Sequence, residues 1–220
     1  MYITWYGQGC FKLEFTDSNR EISTVFIDPY EEKVGLKAPD EKADILLISH
    51  EHFDHNNAKA IKGEPFIIRE PGEYELKEVF IEGIGAFHDN SQGKERGAVT
   101  MFVLHAEELR ICFLSDLGQA QLTDEQLERI GTVDVALVPV GGVFTIDGLT
   151  AKNVINQIDP KLVIPMHYKI KGLKVDLEGP EKFLKAMSQE AAETTKKLKL
   201  QAKDLSAQEP IKVVLLEAQG

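Results

Sequence analysis

Apolar and polar side chains alternate along Cys10-Phe11-Lys12-Leu13-Glu14-Phe15, the period-two pattern of a half-buried strand. Gly7 and Gly9 mark a turn before it. Asp17-Ser18-Asn19 predicts a hairpin turn into a second strand, Ile22 to Ile27, which Asp28-Pro29 closes. Ile45-Leu46-Leu47-Ile48-Ser49 is different. It is apolar at consecutive positions and reads as a short strand buried on both faces. Residues 31–44 are charged, carry Gly35 and Pro39, and read as a loop. Asn56 to Lys62 predicts a short helix capped by Asn and stopped by Gly63. Phe66 to Arg69 and Val79 to Ile84 are strands on either side of Pro71-Gly72-Glu73-Tyr74. Residues 89–97 form a polar loop, and Thr100 to Leu104 pairs with Leu109 to Leu114 around Ala106-Glu107-Glu108.

The pattern then changes to alternating helices and strands. Thr123 caps a helix over Asp124 to Arg129, with acids in the first turn where the dipole favours them. Val133 to Val140 is a continuously apolar strand followed by Gly141-Gly142. Thr150 caps a helix to Ile158, Leu162 to Met166 is another buried strand, and Pro180 starts a helix to about Glu193. Ile211 to Leu216 is the last strand.

Composition narrows the class. With 220 residues and 43% hydrophobic side chains, the chain can build a core and is long enough for one large domain or two small ones. No apolar run approaches the ~20 residues that span a bilayer, and Met1 to Tyr6 lacks a signal-peptide pattern. Two cysteines, Cys10 and Cys112, sit in strand-like stretches and do not frame a disulfide fold, which points to the cytoplasm. The net charge is −11, and the one basic cluster, Lys196-Lys197-Leu198-Lys199, reads as a solvated helix face. That balance argues against nucleic acid as a partner, because gripping a phosphate backbone calls for a basic stripe.

The densest chemistry follows the apolar run at 45–49. His50-Glu51-His52-Phe53-Asp54-His55 crowds three imidazoles and an Asp into six positions. Neutral imidazole nitrogen and carboxylate oxygen are standard ligands of divalent metals. The His spacing does not fit one helical face, unlike the zinc helix with His four apart; a loop leaving a strand end can present it. Other strand ends carry the same residue types. Asp116 follows a strand ending at Ser115, His167 follows Met166, His88 lies just beyond the Val79 strand, and Asp28 ends the Ile22 strand. Sites in sheet-based folds collect where strands end. His105, at a hairpin tip beside Glu107 and Glu108, reads as a surface residue. Five His and two Asp exceed one tetrahedral ion and suit two metals sharing a carboxylate. Nitrogen and oxygen donors suit zinc, with manganese or iron as alternatives. No Gly-x-Ser-x-Gly is present, so the nucleophile falls to metal-bound hydroxide, since a catalytic ion lowers the pKa of its water toward about 7.

Ser49-His50-Glu51-His52-Phe53-Asp54-His55 resembles the His-x-His-x-Asp-His signature of the metallo-β-lactamase superfamily, and His88, Asp116 and His167 follow in that family's order. Asp28-Pro29-Tyr30, Pro71-Gly72-Glu73-Tyr74-Glu75, Pro139 to Thr145 and Ile164 to Tyr168 are similar to a branch of Zn-dependent hydrolases near the L-ascorbate-6-phosphate lactonase group. The resemblance implies a single domain over 1–220 with an α+β fold, a four-layer αββα sandwich. It implies that His50, His52 and His88 hold one metal and Asp54, His55 and His167 a second, with Asp116 bridging. Asp28 is then the acid that orients a ligand, and Asp54 also serves catalysis by orienting the nucleophile or taking its proton. Gly141, Gly142 and Thr145, just past a strand end, are candidates to shape the substrate pocket. The chain departs from the family pattern at Ser115, where Gly is common; a hydroxymethyl there can crowd the bridging Asp or hydrogen-bond to it.

The expected function is metal-dependent hydrolysis of a small-molecule ester, lactone or related bond. The alternatives are a phosphodiesterase or nuclease on the same binuclear site, and a metal-binding protein without turnover. Oligomeric state is not legible in the sequence.

Overall fold

The computed structural model describes residues 1–189, 192–205 and 210–220. The chain opens with β1 (Tyr2–Gly7), β2 (Cys10–Thr16) and β3 (Ile22–Ile27), then β4 (Glu41–Lys42), β5 (Ile45–Leu47), β6 (Ile61–Lys62) and β7 (Phe66–Ile68). β8 (Gly72–Leu76), β9 (Val79–Phe87), β10 (Ala98–Ala106) and β11 (Leu109–Phe113) form an antiparallel run. Helices and strands then alternate: α1 (Asp124–Ile130), β12 (Val135–Pro139), α2 (Gly148–Ile158), β13 (Leu162–Met166) and α3 (Glu181–Ala186). The end comprises β14 (Glu193–Thr195), β15 (Leu198–Lys199), α4 (Ala202–Leu205) and β16 (Lys212–Leu216).

Two mixed sheets face each other, one ordered β15-β1-β2-β3-β5-β7 and the other β14-β16-β13-β12-β11-β10-β9-β8. Strand alternation explains the layers. Val25, Ile27, Ile45 and Leu47 point between the sheets, while Phe26, Leu46 and Ile48 point outward into a separate cluster. The continuously apolar run at 45–48 is therefore buried on both faces, as its pattern predicts. Trp5, Phe11, Phe102 and Phe113 fill the space between the sheets, each fully buried side chain being worth roughly 1.5–3 kcal/mol.

The outermost layers differ. α2 packs against α3 and β12, and α1 against β9. Across the other sheet the cover is irregular: Tyr30, Val34 and Leu36 from the charged loop meet Ile61, Leu173 and Leu177. The α+β sandwich is thus present, with 3₁₀ turns and loops where an outer helix layer was expected on that side.

Several predicted elements shift. The helix expected over Asn56 to Lys62 is a single 3₁₀ turn, Ala58–Ala60, running into β6, which pairs with β4. Asn57 does not cap it; its amide donates to the Tyr30 carbonyl at 2.9 Å. So short a segment cannot offset the cost of helix nucleation once β4 offers ladder bonds. α2 is capped by Asp147, whose carboxylate accepts the Thr150 N–H at 2.8 Å, not by Thr150. α3 stops at Ala186, and Glu193 lies in a strand; residues 190–191 of the expected helix lie outside the described residues. Tyr2–Gly7 and Gly72–Leu76 are strands as well. The Lys196–Lys199 cluster is no helix face. It is a turn and edge strand, with Lys197 bonded to Glu14 at 2.6 Å and lying over Tyr2. By contrast Thr123 and Gln126 form the capping box of α1 that the sequence implied.

Candidate metal centre

Strand ends from both sheets converge at one edge. β5 delivers Ile48 and Ser49, and the backbone then turns so that the His55 and Asn56 N–H groups both donate to the His52 carbonyl. This loop geometry turns His50, His52, Asp54 and His55 toward the ends of the other strands. β9 brings His88, the segment after β11 brings Asp116, and the residue after β13 is His167.

The side chains meet in two groups. His52 Nδ1 lies 3.1 Å from His50 Nε2 and 3.2 Å from His88 Nε2. His55 Nε2 and His167 Nε2 lie 3.5 and 3.7 Å from Asp54 Oδ2. Asp116 Oδ2 stands between the groups, 3.3 Å from His55 Nε2, 3.3 Å from His167 Nε2 and 3.5 Å from His88 Nε2. His50/His52/His88 and Asp54/His55/His167 each offer donor atoms close enough to hold one ion.

The donor set fits a divalent metal. Three ring nitrogens facing one another cannot all be satisfied by shared protons, and Asp116 Oδ1 and His55 Nε2 are buried without a hydrogen-bond partner among the described residues. Ligands 2.0–2.1 Å from a tetrahedral ion lie about 3.3 Å apart, close to the separations seen here. The electrostatics point the same way. Burial drives His50 down to about 2, reinforced by His55 and opposed by Asp116, so it is neutral and free to donate a lone pair. Burial also lowers His88. His55 is pushed up: burial opposes its charge, but Asp116 and Asp54 outweigh it. Asp116 and Asp54 are held well below the carboxylate range despite burial, by His167 and His55 for the first and chiefly His55 for the second. A cation is what this cluster of ionised carboxylates calls for.

Asp28, His50 and His55 also fall within ligand distance, but Asp28 is already committed. Its Oδ1 accepts the Ser49 N–H at 2.7 Å, and its Oδ2 meets the Ser49 hydroxyl and lies 2.9 Å from His55 Nδ1. It is fully buried and fixes the His55 ring from behind. Burial raises its pKa, with His55 opposing.

The backbone around the site is strained. Gln8, Asp28, Ser115, Val143 and His167 all have φ between 46° and 56°, a region that non-glycine residues adopt at a cost of order 1–3 kcal/mol and that clusters at functional sites. Close packing enforces it. A Cβ on Gly141 would strike the His167 carbonyl, and one on Gly118 would strike the His88 backbone. Gly141 thus presses on His167, Gly142 takes a left-handed turn, and Thr145 bonds the Ile146 carbonyl at 3.2 Å. From that turn it is Phe144 that faces the cavity.

Ser115 occupies the position where a glycine is expected, at φ 52° with its hydroxyl buried and, among the described residues, unpartnered. Ser115→Gly should stabilise the metal-free protein by about 1 kcal/mol, the relief of strain exceeding the added chain entropy of Gly. Tm should rise ~2–4 °C. A lower or unchanged Tm by calorimetry would mean that the hydroxyl has a partner worth more than the strain.

Further contributors escaped the sequence reading. Gln8 is fully buried between Gly7 and Gly9; its side-chain amide donates to Asp54 Oδ2 at 3.0 Å, and its backbone carbonyl accepts from Trp5 Nε1 at 2.9 Å and from the His167 N–H at 3.2 Å. Asp89 organises the 89–97 loop by accepting four backbone N–H groups, those of Ser91, Gly93, Glu95 and Arg96. That loop sets Arg96 beside Phe144. Above the candidate ligand side chains is a cavity of about 330 Å³, walled by Phe53, Phe144 and Val175, with Arg96 on its lining.

Residues 2–167 match the family described as the β-lactamase superfamily domain. The chain belongs to the metallo-β-lactamase superfamily. Within that superfamily, a solved structure from Thermotoga maritima, assigned to its Zn-dependent hydrolases, is 36% identical with a TM-score of 0.77, covering 98% of this chain and 97% of its own. A UPF0173 metal-dependent hydrolase of Pyrococcus furiosus is 27% identical over 86% of this chain and 93% of its own length. A UPF0173 metal-dependent hydrolase of Listeria monocytogenes is 27% identical over the same shares of the two chains. The chain is accordingly a metal-dependent hydrolase of that superfamily. Among the described residues, no helix is long and apolar enough to cross a membrane.

Proposed function

We propose that this metal-dependent hydrolase binds two divalent ions and cleaves a small-molecule ester or lactone, as the L-ascorbate-6-phosphate lactonase group would. The observation that carries the reading is Asp116 Oδ2, which lies 3.3–3.5 Å from ring nitrogens of both ligand groups. His50, His52 and His88 would hold one ion, and Asp54, His55 and His167 the other, with Asp116 between them. Zinc is the ion the nitrogen and oxygen donors favour; manganese and iron suit the same set. When bound, such ions polarise the scissile bond's oxygen and lower the pKa of water toward about 7.

The chain's own residues supply the rest. Asp54, ionised and held by Gln8, orients the attacking water by accepting one of its hydrogens. Asp28 keeps the His55 proton on Nδ1, leaving Nε2 free as a ligand atom. Phe53, Phe144 and Val175 exclude bulk water from the reacting bond. The same reading is of a cytoplasmic enzyme, where buried, unpaired Cys10 and Cys112 stay reduced.

The test is metal analysis followed by a hydrolysis screen with lactones, small esters, a model phosphodiester and labelled single-stranded RNA at two salt concentrations. Two ions per chain at saturation and metal-dependent turnover of a lactone or ester are expected. No more than one ion at saturation would reject the binuclear centre. Salt-sensitive RNA cleavage with silence on every small substrate would replace the reading with a nuclease.

A further inference from the structure

The cavity over the candidate metal ligands is floored by His52, Asp54, His88, Asp116 and His167 and walled by Phe53, Phe144 and Val175; among the described residues, Arg96 is the one Lys or Arg on its lining. A surface arginine in a chain of net charge −11 would ordinarily find a carboxylate. Arg96 has none among the described residues. Its guanidinium lies 5.6 Å from the Phe144 ring centre, and its one side-chain bond goes to the Val143 carbonyl at 3.3 Å. Most of its N–H donors, which form a planar fork suited to carboxylate or phosphate, are therefore unused. Lys33, the cation over Phe53, is by contrast paired with Glu31 at 2.8 Å.

The arginine is also held in place. Asp89 accepts the Arg96 backbone N–H at 2.8 Å together with three others, and the next residue, Gly97, accepts the His88 N–H at 3.0 Å. The loop that carries Arg96 is thus tied to the strand end that carries His88. Phe144 backs the guanidinium from the Val143 turn, itself at φ 56°. A cation without a carboxylate partner, carried on a tethered backbone beside an apolar wall, is a recognition device for an anion with an apolar neighbour.

We propose that Arg96 is the specificity-determining residue of this cavity, selecting small substrates that carry a carboxylate or phosphate group beside an apolar moiety. This rests on the hydrolase reading above only for where the substrate reacts; the anion site itself does not require turnover.

The test is equilibrium binding by calorimetry with phenylacetate, phenyl phosphonate and neutral phenylacetamide, on metal-loaded protein and on protein stripped with chelator. Wild type is expected to bind one of the two anions at least ~10-fold more tightly than the amide in both forms, since a bidentate charge-assisted contact is worth about that much. Whichever anion leads identifies the group as carboxylate or phosphate. Arg96→Gln should abolish the preference, and Arg96→Lys should retain part of it. Lys94→Ala, which removes a charge from the same loop away from the cavity, should keep it. A preference that survives in Arg96→Gln, or that Lys94→Ala loses equally, overturns the proposal. An anion preference lost in Arg96→Gln supports it even if no lactone or ester is hydrolysed, which separates its failure from that of the proposed reaction.

Discussion

Asp116→Asn should leave the protein folded, deprive it of one of two metal ions and cost more activity than any other single change at the site. The carboxylate is buried, and its Oδ2 faces His55, His88 and His167 at 3.3–3.5 Å. The amide has nearly the same shape, so the packing around this buried side chain survives. What it lacks is the negative charge that offsets two cations. Replacing partners that merely orient metal ligands costs ~10–100-fold in affinity or activity; removing the shared charge should exceed that in turnover and weaken the more labile ion at least ~10-fold. Elemental analysis after dialysis and a steady-state assay give the two numbers. His105→Ala, at an exposed position near the end of β10, is the matched control and should change neither. Unchanged ion content and rate in Asp116→Asn would reduce Asp116 to a turn residue.

How much of this was legible in the sequence depends on the range of the interaction. His50 to His55 could be read because crowding of ligand types is local and the spacing rules out a helix. His88, Asp116 and His167 could be read because each stands where an apolar run ends. Gln8 could not, since its role arises only when the turn between β1 and β2 meets Asp54 and His167; a polar residue between two glycines is the only hint. Asp89 and Arg96 sit in a loop whose shape comes from four backbone bonds to one carboxylate, which periodicity does not register. The segment 31–44 was legible as a loop only in part, since a 3₁₀ turn (Glu32–Val34) and β4 lie within it; the burial of Val34 and Leu36 was not legible, because their partners Leu173 and Leu177 lie far along the chain. The 56–62 segment looked helical by capping and stop signals alone, and tertiary pairing of β4 with β6 overrode that weak preference.

Asp28→Asn should cost metal affinity with little loss of thermal stability, a separation that follows from hydrogen-bond polarity. The Ser49 N–H donates to Asp28 Oδ1 at 2.7 Å, so the Asn oxygen must stay on that side. The amide NH₂ then takes the place of Oδ2, facing the Ser49 hydroxyl and His55 Nδ1. Both can turn to accept: the hydroxyl by rotating, the ring by moving its proton from Nδ1 to Nε2. The buried bonds are kept, but the His55 nitrogen that faces Asp54 and Asp116 now carries a hydrogen and cannot donate a lone pair to an ion. Wrong-tautomer variants of this kind keep their geometry and lose function. We expect the ion bound by Asp54, His55 and His167 to weaken by ~10–100-fold in a chelator competition, with Tm of the metal-free protein nearly unchanged. The imidazole nitrogen resonances of His55 should report the proton on Nε2. A variant that binds both ions as wild type does, or that keeps the proton on Nδ1, would mean that Asp28 serves the packing of the Ser49 turn and not the ligand behind it.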